Sequence, residues 1–308
     1  MTGIVAHGWT RLARMERLPG GARIEKGPGG LERLELAADA GEAHVFLHGA
    51  HVTHFRPRGG KPVLWVSRES RYESGKPIRG GVPVCFPWFG PKAGAPDAPL
   101  HGFARVRPWT LAAVEPETDG RLRALLELVA DGATRALFPH DLRVSLEVVV
   151  GSTLSLALRV RNTGPSPLTF EEALHTYLAV SDVRQCRVTG LEGAAFVDKT
   201  AAGARRPGEP APIVVAAETD RVYLGTEGAV TVEDPGGTRR IVVSKAGSRT
   251  TVVWNPWVAK AKAMPDFGDD EWPGMLCVET ANAMVENAVA LAPGASHTMT
   301  ATIEAQPL

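Results

Sequence analysis

Cysteine is scarce in this 308-residue chain, where Cys85, Cys186 and Cys277 are widely spaced, odd in number and without a CxxC pair. That argues against a disulfide framework and against a thiolate zinc site, and it makes the three small buried apolar side chains. An excess of charge of one sign is also missing, because Lys plus Arg and Asp plus Glu number 34 each. Net charge therefore gives no support to a nucleic acid or a membrane surface as partner, and any anion must be met by a local patch. No apolar run is long enough to span a bilayer, and the opening MTGIVAHGWTRLARMERLPGG lacks an apolar core of signal-peptide length. The expectation is a soluble cytoplasmic protein. Long, capped helical periods are absent too, with SRESRYESG after Ser67 offering one short helix. There is no HExxH, no GxSxG elbow, no GKS/T phosphate loop and no dinucleotide fingerprint after a leading strand.

What is present has a period of two. In LRVSLEVVV, residues 142 to 150, Leu142, Val144, Leu146 and Val148 alternate with Arg143, Ser145 and Glu147, the pattern of a half-buried strand. TLSLALRVRN repeats it with Leu154, Leu156, Leu158 and Val160 after the dipeptide GS, which predicts a tight hairpin. RLRALLELV, at 121 to 129, supplies a third strand beside them. With 44% hydrophobic and 22% charged residues the chain can bury a substantial core. Many short strands without intervening helices predict an all-β fold, a large antiparallel sandwich or barrel. Strand signals resume after the Pro- and Gly-rich stretch at 203 to 212, so that stretch reads as a loop. Residues 21–308 read as a single domain, with 1–20 a weakly determined lead-in.

Four polar groupings sit in apolar settings. PIRGGVPVCFPWFG places Arg79 between a proline and two glycines, ahead of a stiff wall of prolines and aromatics. A guanidinium held there suits a carboxylate or a phosphate, and a buried ion pair is the simplest reading of that stretch alone. LHGFARVRPW carries His101, Arg105 and Arg107 on one strand parity, a pattern that fits an anion site and an exposed strand face equally. EEALHTYL puts His175 between Ala173 and Tyr177 on one face, and MLCVETAN puts Glu279 with Cys277 on one parity. A carboxylate in so apolar a strand either ion-pairs or has its pKa raised, as a general base requires. His48, His51 and His54 of HGAHVTH do not share strand parity, which favours a solvated turn over a metal site.

The motifs GKPIRGGVPVCFPWFG, HGFARVRPW, ALHTYL, TDRVY, WNPW and CVETAN, in this order from residue 75 to 282, resemble the hexose-6-phosphate mutarotases of the aldose-epimerase superfamily. The resemblance implies a galactose-mutarotase-like β supersandwich with a sugar cleft, no metal and no organic cofactor. By the same resemblance His175 is the general acid and Glu279 the general base. Arg79, His101, Arg105 and Asp220 are substrate-binding residues for a small-molecule sugar phosphate, and the chain is read as a monomer. Leu100 stands where some members carry a glutamine that contacts substrate. The implied chemistry opens a pyranose hemiacetal by acid and base from opposite sides of the ring, with Glu279 ionised and His175 protonated at rest, and with Asp220 a candidate to raise the pKa of His175. Phe86, Trp88, Phe89, Trp254 and Trp257 are candidates to line the cleft, with core packing the simpler role for most. Three rival readings stay open: a non-catalytic carbohydrate-binding sandwich, an epimerase of unphosphorylated aldoses, and a regulatory or scaffold protein that reuses the fold.

Overall fold

Alternation of apolar and polar residues builds the larger part of the molecule, seen in a computed structural model that describes residues 18–308. Leu142–Val150 and Thr153–Asn162 pair antiparallel with Val150 opposite Leu154, so the hairpin turns at Gly151 and Ser152 as their sequence predicts. Leu122–Val129 lies beside them. They belong to an eight-stranded antiparallel sheet that runs, in spatial order, through Arg187–Thr189, Val230–Asp234, Arg239–Ala246, Ser296–Pro307, Thr153–Asn162, Leu142–Val150, Leu122–Val129 and Thr110–Pro116. Val144, Leu146, Leu156 and Leu158 turn inward and are buried, while Arg143 and Arg159 face solvent. Each such branched side chain gains about 1.5–3 kcal/mol from burial.

A second eight-stranded sheet carries the polar groupings. Its path is Ala204–Arg206, Phe196–Asp198, Thr219–Leu224, Thr250–Asn255, Met275–Asn282, Glu172–Leu174 and Val84–Cys85, with Tyr177–Ala179 also pairing with Met275–Asn282. All residues of Thr250–Asn255 and Met275–Asn282 are buried, because these central strands are covered on both faces. A four-stranded meander from Ala22–Lys26 to His51–Pro57 and a two-stranded pair, Leu168–Phe170 with Val289–Leu291, complete the β structure. Among the described residues the α-helices are Gly132–Leu137 and Trp257–Ala263, and no helix is long and apolar enough to cross a membrane. All three cysteines are buried and unpaired, as expected.

Three local expectations fail here, the first at 203–212, where Ala204–Arg206 is a strand paired with Phe196–Asp198 inside the stretch read as a loop. Residues 67–75 form turns and irregular backbone instead of a short helix. The Ser67 hydroxyl donates to Glu271 Oε2 at 2.7 Å and accepts from the Gly268 amide at 3.2 Å, so tertiary partners outweigh local propensity. The histidines of HGAHVTH are not a solvated turn. His51 is fully buried and donates from Nε2 to the Gly80 carbonyl at 2.6 Å, and His48, also buried, reaches the Lys76 carbonyl at 2.7 Å. Both rings therefore brace the wall that carries Arg79. Gly80 is needed there: its φ is +116°, and a Cβ would lie 2.4 Å from the Val66 backbone. Most of the expected amino-terminal lead-in, up to position 17, lies outside the described residues.

Burial pushes the His51 pKa down to about 3, so the folded ring stays neutral where the unfolded one takes up a proton. The unfolded state then binds more protons, and stability falls as pH drops from about 6.5 towards 3. In His51→Asn this contribution disappears. Urea denaturation at pH 7 and pH 5 is expected to show the pH-dependent loss shrinking by up to about 2 kcal/mol relative to wild type. An identical loss in both proteins would mean that His51 does not titrate in this way.

Candidate active site

Cross-strand register assembles the site. In an antiparallel sheet, residues directly opposite share a face. Asp220 lies opposite Trp254, Trp254 opposite Cys277, and Cys277 opposite Tyr177. The adjacent row holds Val222, Val252 and Glu279. Glu172–Leu174 and Tyr177–Ala179 both pair with the Glu279 strand in continuous register, and His175 falls in the gap between them, across from Glu279. The gap is tied down by backbone hydrogen bonds from the Val278 amide to the Thr176 carbonyl at 3.1 Å and from the His175 amide to the Pro83 carbonyl at 3.1 Å. The Tyr177 amide reaches the Gly81 carbonyl at 2.8 Å. The proline-rich wall can stand at this edge because its carbonyls accept, and the missing proline N–H groups are not required.

The result is a cavity of about 330 Å³ lined by Arg79, Phe89, Leu100, His101, His175, Tyr177, Lys199, Asp220, Trp254, Lys260 and Glu279, among others. His175 Nε2 lies 3.3 Å from Glu279 Oε1, with side chains 10% and 1% exposed. The two groups are thus neighbours on one wall, not facing each other across the cavity. Burial is the main cause that pulls the His175 pKa well below its usual value, helped by the charges of Arg105 and Arg79. Burial again leads in pushing the Glu279 carboxyl well up, reinforced by Asp220. Both effects act against a charged pair, a direction opposite to the expected resting state of ionised Glu279 and protonated His175, and the charges acting on the histidine are those of the arginines, not of Asp220.

His101 joins His175, the two rings meeting edge to face with centroids 5.7 Å apart. Its Nδ1 accepts from the Gly90 amide at 3.1 Å, so in the neutral ring Nε2 carries the proton. The single strand expected through His101, Arg105 and Arg107 does not exist. His101 has φ +61°, and Ala104–Val106 is a 3₁₀ turn. Arg105 is buried behind the cavity wall with Nη2 on the Leu100 carbonyl at 2.7 Å, whereas Arg107 pairs at the surface with Asp131 at 2.8 Å. Arg105 therefore reaches the site through its field, lowering the pKa values of both histidines.

Arg79 lines the cavity, but its fork is engaged. Nη2 meets Asp266 Oδ2 at 3.1 Å, Nε meets the same oxygen at 3.2 Å, and Nη1 donates to the Tyr177 hydroxyl at 3.1 Å. Tyr177 in turn stacks on His175, ring centroids 4.7 Å apart at 14°. A chain of contacts from Asp266 through Arg79 and Tyr177 thus fixes the plane of the imidazole. Asp220 stands at the other end of the row, 3.9 Å from Lys260 Nζ, its carboxyl pushed up chiefly by burial. Of the aromatic candidates, Phe89 and Trp254 reach the cavity; Phe86 and Trp88 pack in the core, and Trp257 packs on Trp272. Sequence reasoning missed Asp266, Lys199 and Lys260, which lie in segments with no motif of their own. Lys199 is exposed, sits 5.0 Å over the Phe89 ring and has no ion pair with a carboxylate among the described residues.

A family model described as aldose 1-epimerase matches residues 32–304. A proposed glucose-6-phosphate 1-epimerase from Cenchrus ciliaris is 37% identical over 282 residues, covering 89% of this chain and 84% of its own. One from Escherichia coli strain K12 is 37% identical over 242 residues, 79% and 80% of the two chains. The crystal structure of a proposed mutarotase, YeaD, from Salmonella typhimurium superimposes with a TM-score of 0.88 at 31% identity, over 95% of this chain and 96% of that one. A galactose mutarotase-like protein from Clostridium acetobutylicum shares the fold at a TM-score of 0.74 and 15% identity, over 93% and 98%.

The Asp266–Arg79 contact is testable by itself. Asp266→Asn should cost on the order of 1–3 kcal/mol, less than the roughly 3–5 of a wholly buried pair because both side chains keep some exposure. A urea midpoint equal to that of wild type would show the pair to be idle.

Proposed function

Since the chain belongs to the aldose 1-epimerase family and is an isomerase, we propose that it interconverts the α and β anomers of a hexose 6-phosphate, with glucose 6-phosphate as the first candidate. The observation that carries this reading is the 3.3 Å approach of His175 Nε2 and Glu279 Oε1 at the cavity wall. The two oxygens that exchange protons in a hemiacetal, the C1 hydroxyl and the ring oxygen, are bonded to one carbon. An acid and a base that serve them must both come within hydrogen-bond reach of the oxygens on that carbon, as two neighbouring groups can.

One of the pair takes the hydroxyl proton while the other delivers a proton to the ring oxygen, and the C1–O5 bond breaks to the open-chain aldehyde. Rotation about C1–C2 presents the other carbonyl face, and reclosure runs the two transfers in reverse. The proton count is zero over the cycle, so the pair returns to its starting state whichever partner held the proton at rest. His101, through Nε2, and Asp220 are suited to hold sugar hydroxyls beside it. Burial and the charge of Arg105 act together against a protonated imidazole, and the sugar oxygens offset part of the cost of desolvating the pair.

The phosphate handle differs from the one that the sequence suggests. Arg79 gives most of its donors to Asp266 and Tyr177, so its first role is to position the Tyr177–His175 stack. Lys260 Nζ lies 2.9 Å from Glu218. Lys199 is then the exposed lining cation without a carboxylate partner among the described residues, and we assign the 6-phosphate to it. Anionic ligand and ammonium meet there as a point-charge pair. Residues 21–308 act as one domain in this reading, and Leu100, exposed at the lining, takes the place of a polar contact.

Exchange spectroscopy between the anomers of glucose 6-phosphate, run beside glucose, tests the assignment. His175→Ala and Glu279→Gln should each lower kcat by about 10²- to 10⁴-fold. Lys199→Ala should raise KM for the phosphate ester and leave glucose unchanged. Wild-type protein that binds the ester without accelerating exchange would replace the enzyme reading with a carbohydrate-binding one, and equal effects of Lys199→Ala on both sugars would remove the phosphate assignment.

A further inference from the structure

We propose that His175, Cys277 and Glu279 form a binding site for a zinc-like divalent cation, and that an ion seated there blocks anomer exchange by occupying the proton-transfer pair; the blocking half of this proposal rests on the mutarotase reading, the site itself does not. One donor atom from each residue lies within 4.8 Å of the other two, and all three residues are buried. Cys277 and Glu279 are two apart on one strand and so share its face, while register brings His175 opposite Glu279. Glu279 Oε2 and His175 Nδ1 are buried and have no hydrogen-bond partner, so two of the three residues keep a polar atom unengaged.

The donor set selects the ion. Nitrogen, sulfur and carboxylate oxygen bind zinc at about 2.0–2.3 Å in tetrahedral geometry, and three protein ligands leave the fourth position to water. A thiolate and a carboxylate together balance a charge of 2+, so the buried complex carries no net charge. An unpaired cation could not enter so apolar a place. A thiolate disfavours magnesium and calcium, which prefer oxygen ligands. Binding involves no electron transfer, and the Cys277 thiol proton and the proton that burial favours on the Glu279 carboxyl both pass to bulk solvent as the metal–ligand bonds form. Arg105 and Lys199 oppose a cation, but Arg79 is neutralised by Asp266 and Asp220 lines the same cavity.

Site and activity are separable in the test. Cadmium chloride is titrated into wild-type protein while the ultraviolet thiolate-to-cadmium charge-transfer band is followed, and zinc chloride is titrated by calorimetry. The expected result is a single saturable equivalent, a thiolate band, competition by glucose 6-phosphate and no response to magnesium chloride. Zinc should suppress anomer exchange and a chelator should restore it. Cys277→Ser should keep exchange, lose the band and weaken zinc by about tenfold or more. If Cys277→Ser does not fold, Cys277→Ala and the wild-type band still decide the matter. Absence of the band in wild type, or its survival in Cys277→Ser, overturns the site. A band without any exchange activity leaves the site standing and removes the catalytic reading instead.

Discussion

The approach of His175 to Glu279 is the contact on which the rest of the structure depends. Two ionisable groups, nearly excluded from water, are unfavourable as separate charges and acceptable as a pair that shares a proton. Holding them together inside a sheet requires a strand buried on both faces, a neighbouring strand broken at the histidine, and an edge that covers the break. The fully buried Met275–Asn282 strand supplies the first. The interruption between Leu174 and Tyr177 supplies the second, and the carbonyls of Gly81 and Pro83 supply the third.

Charge around this pair is balanced locally. Arg79 is matched by Asp266, and Lys260 by Glu218 with Asp220 nearby, so neither adds a bare charge to the cavity. Among the described residues Arg105 has no such partner, and its guanidinium adds to burial in holding the two site histidines neutral. A stiff scaffold is what makes the balance possible. His51 and His48 grip the backbone on either side of Arg79, while Tyr177 passes the position of Arg79 on to the imidazole by stacking. Small displacements of the wall would therefore reach the His175–Glu279 pair through contacts of a few ångströms, the scale on which positioning affects proton transfer.

Much of this is legible in the sequence. Strand alternation at 142–162 follows from the period of two, because one face of that sheet is buried and the other is wet. His175 and Glu279 stand out as polar residues in apolar strands, and their parity places them correctly beside Tyr177 and Cys277. The reading of residues 101–107 as a strand fails for a physical reason. Positive φ at His101 and Gly102 turns the chain, and parity has no meaning across a turn. HGAHVTH fails differently: its histidines look like a polar turn because nothing in their own segment shows the distant carbonyls of Lys76 and Gly80 that receive them.

The amino-acid sequence by itself determined the class of fold, through apolar alternation in the sheets, and singled out His175 and Glu279 as polar side chains in otherwise apolar runs, while their roles as acid and base followed from the motifs that resemble the aldose-epimerase family. Tertiary structure alone decided the relations between them. It placed the candidate acid and base side by side, gave Arg79 to Asp266, hid Arg105 behind the wall and brought Lys199 to the cavity. Those outcomes depend on register between strands some hundred residues apart and on the low-dielectric surroundings that the assembled sheet creates, and neither is a property of any segment taken alone.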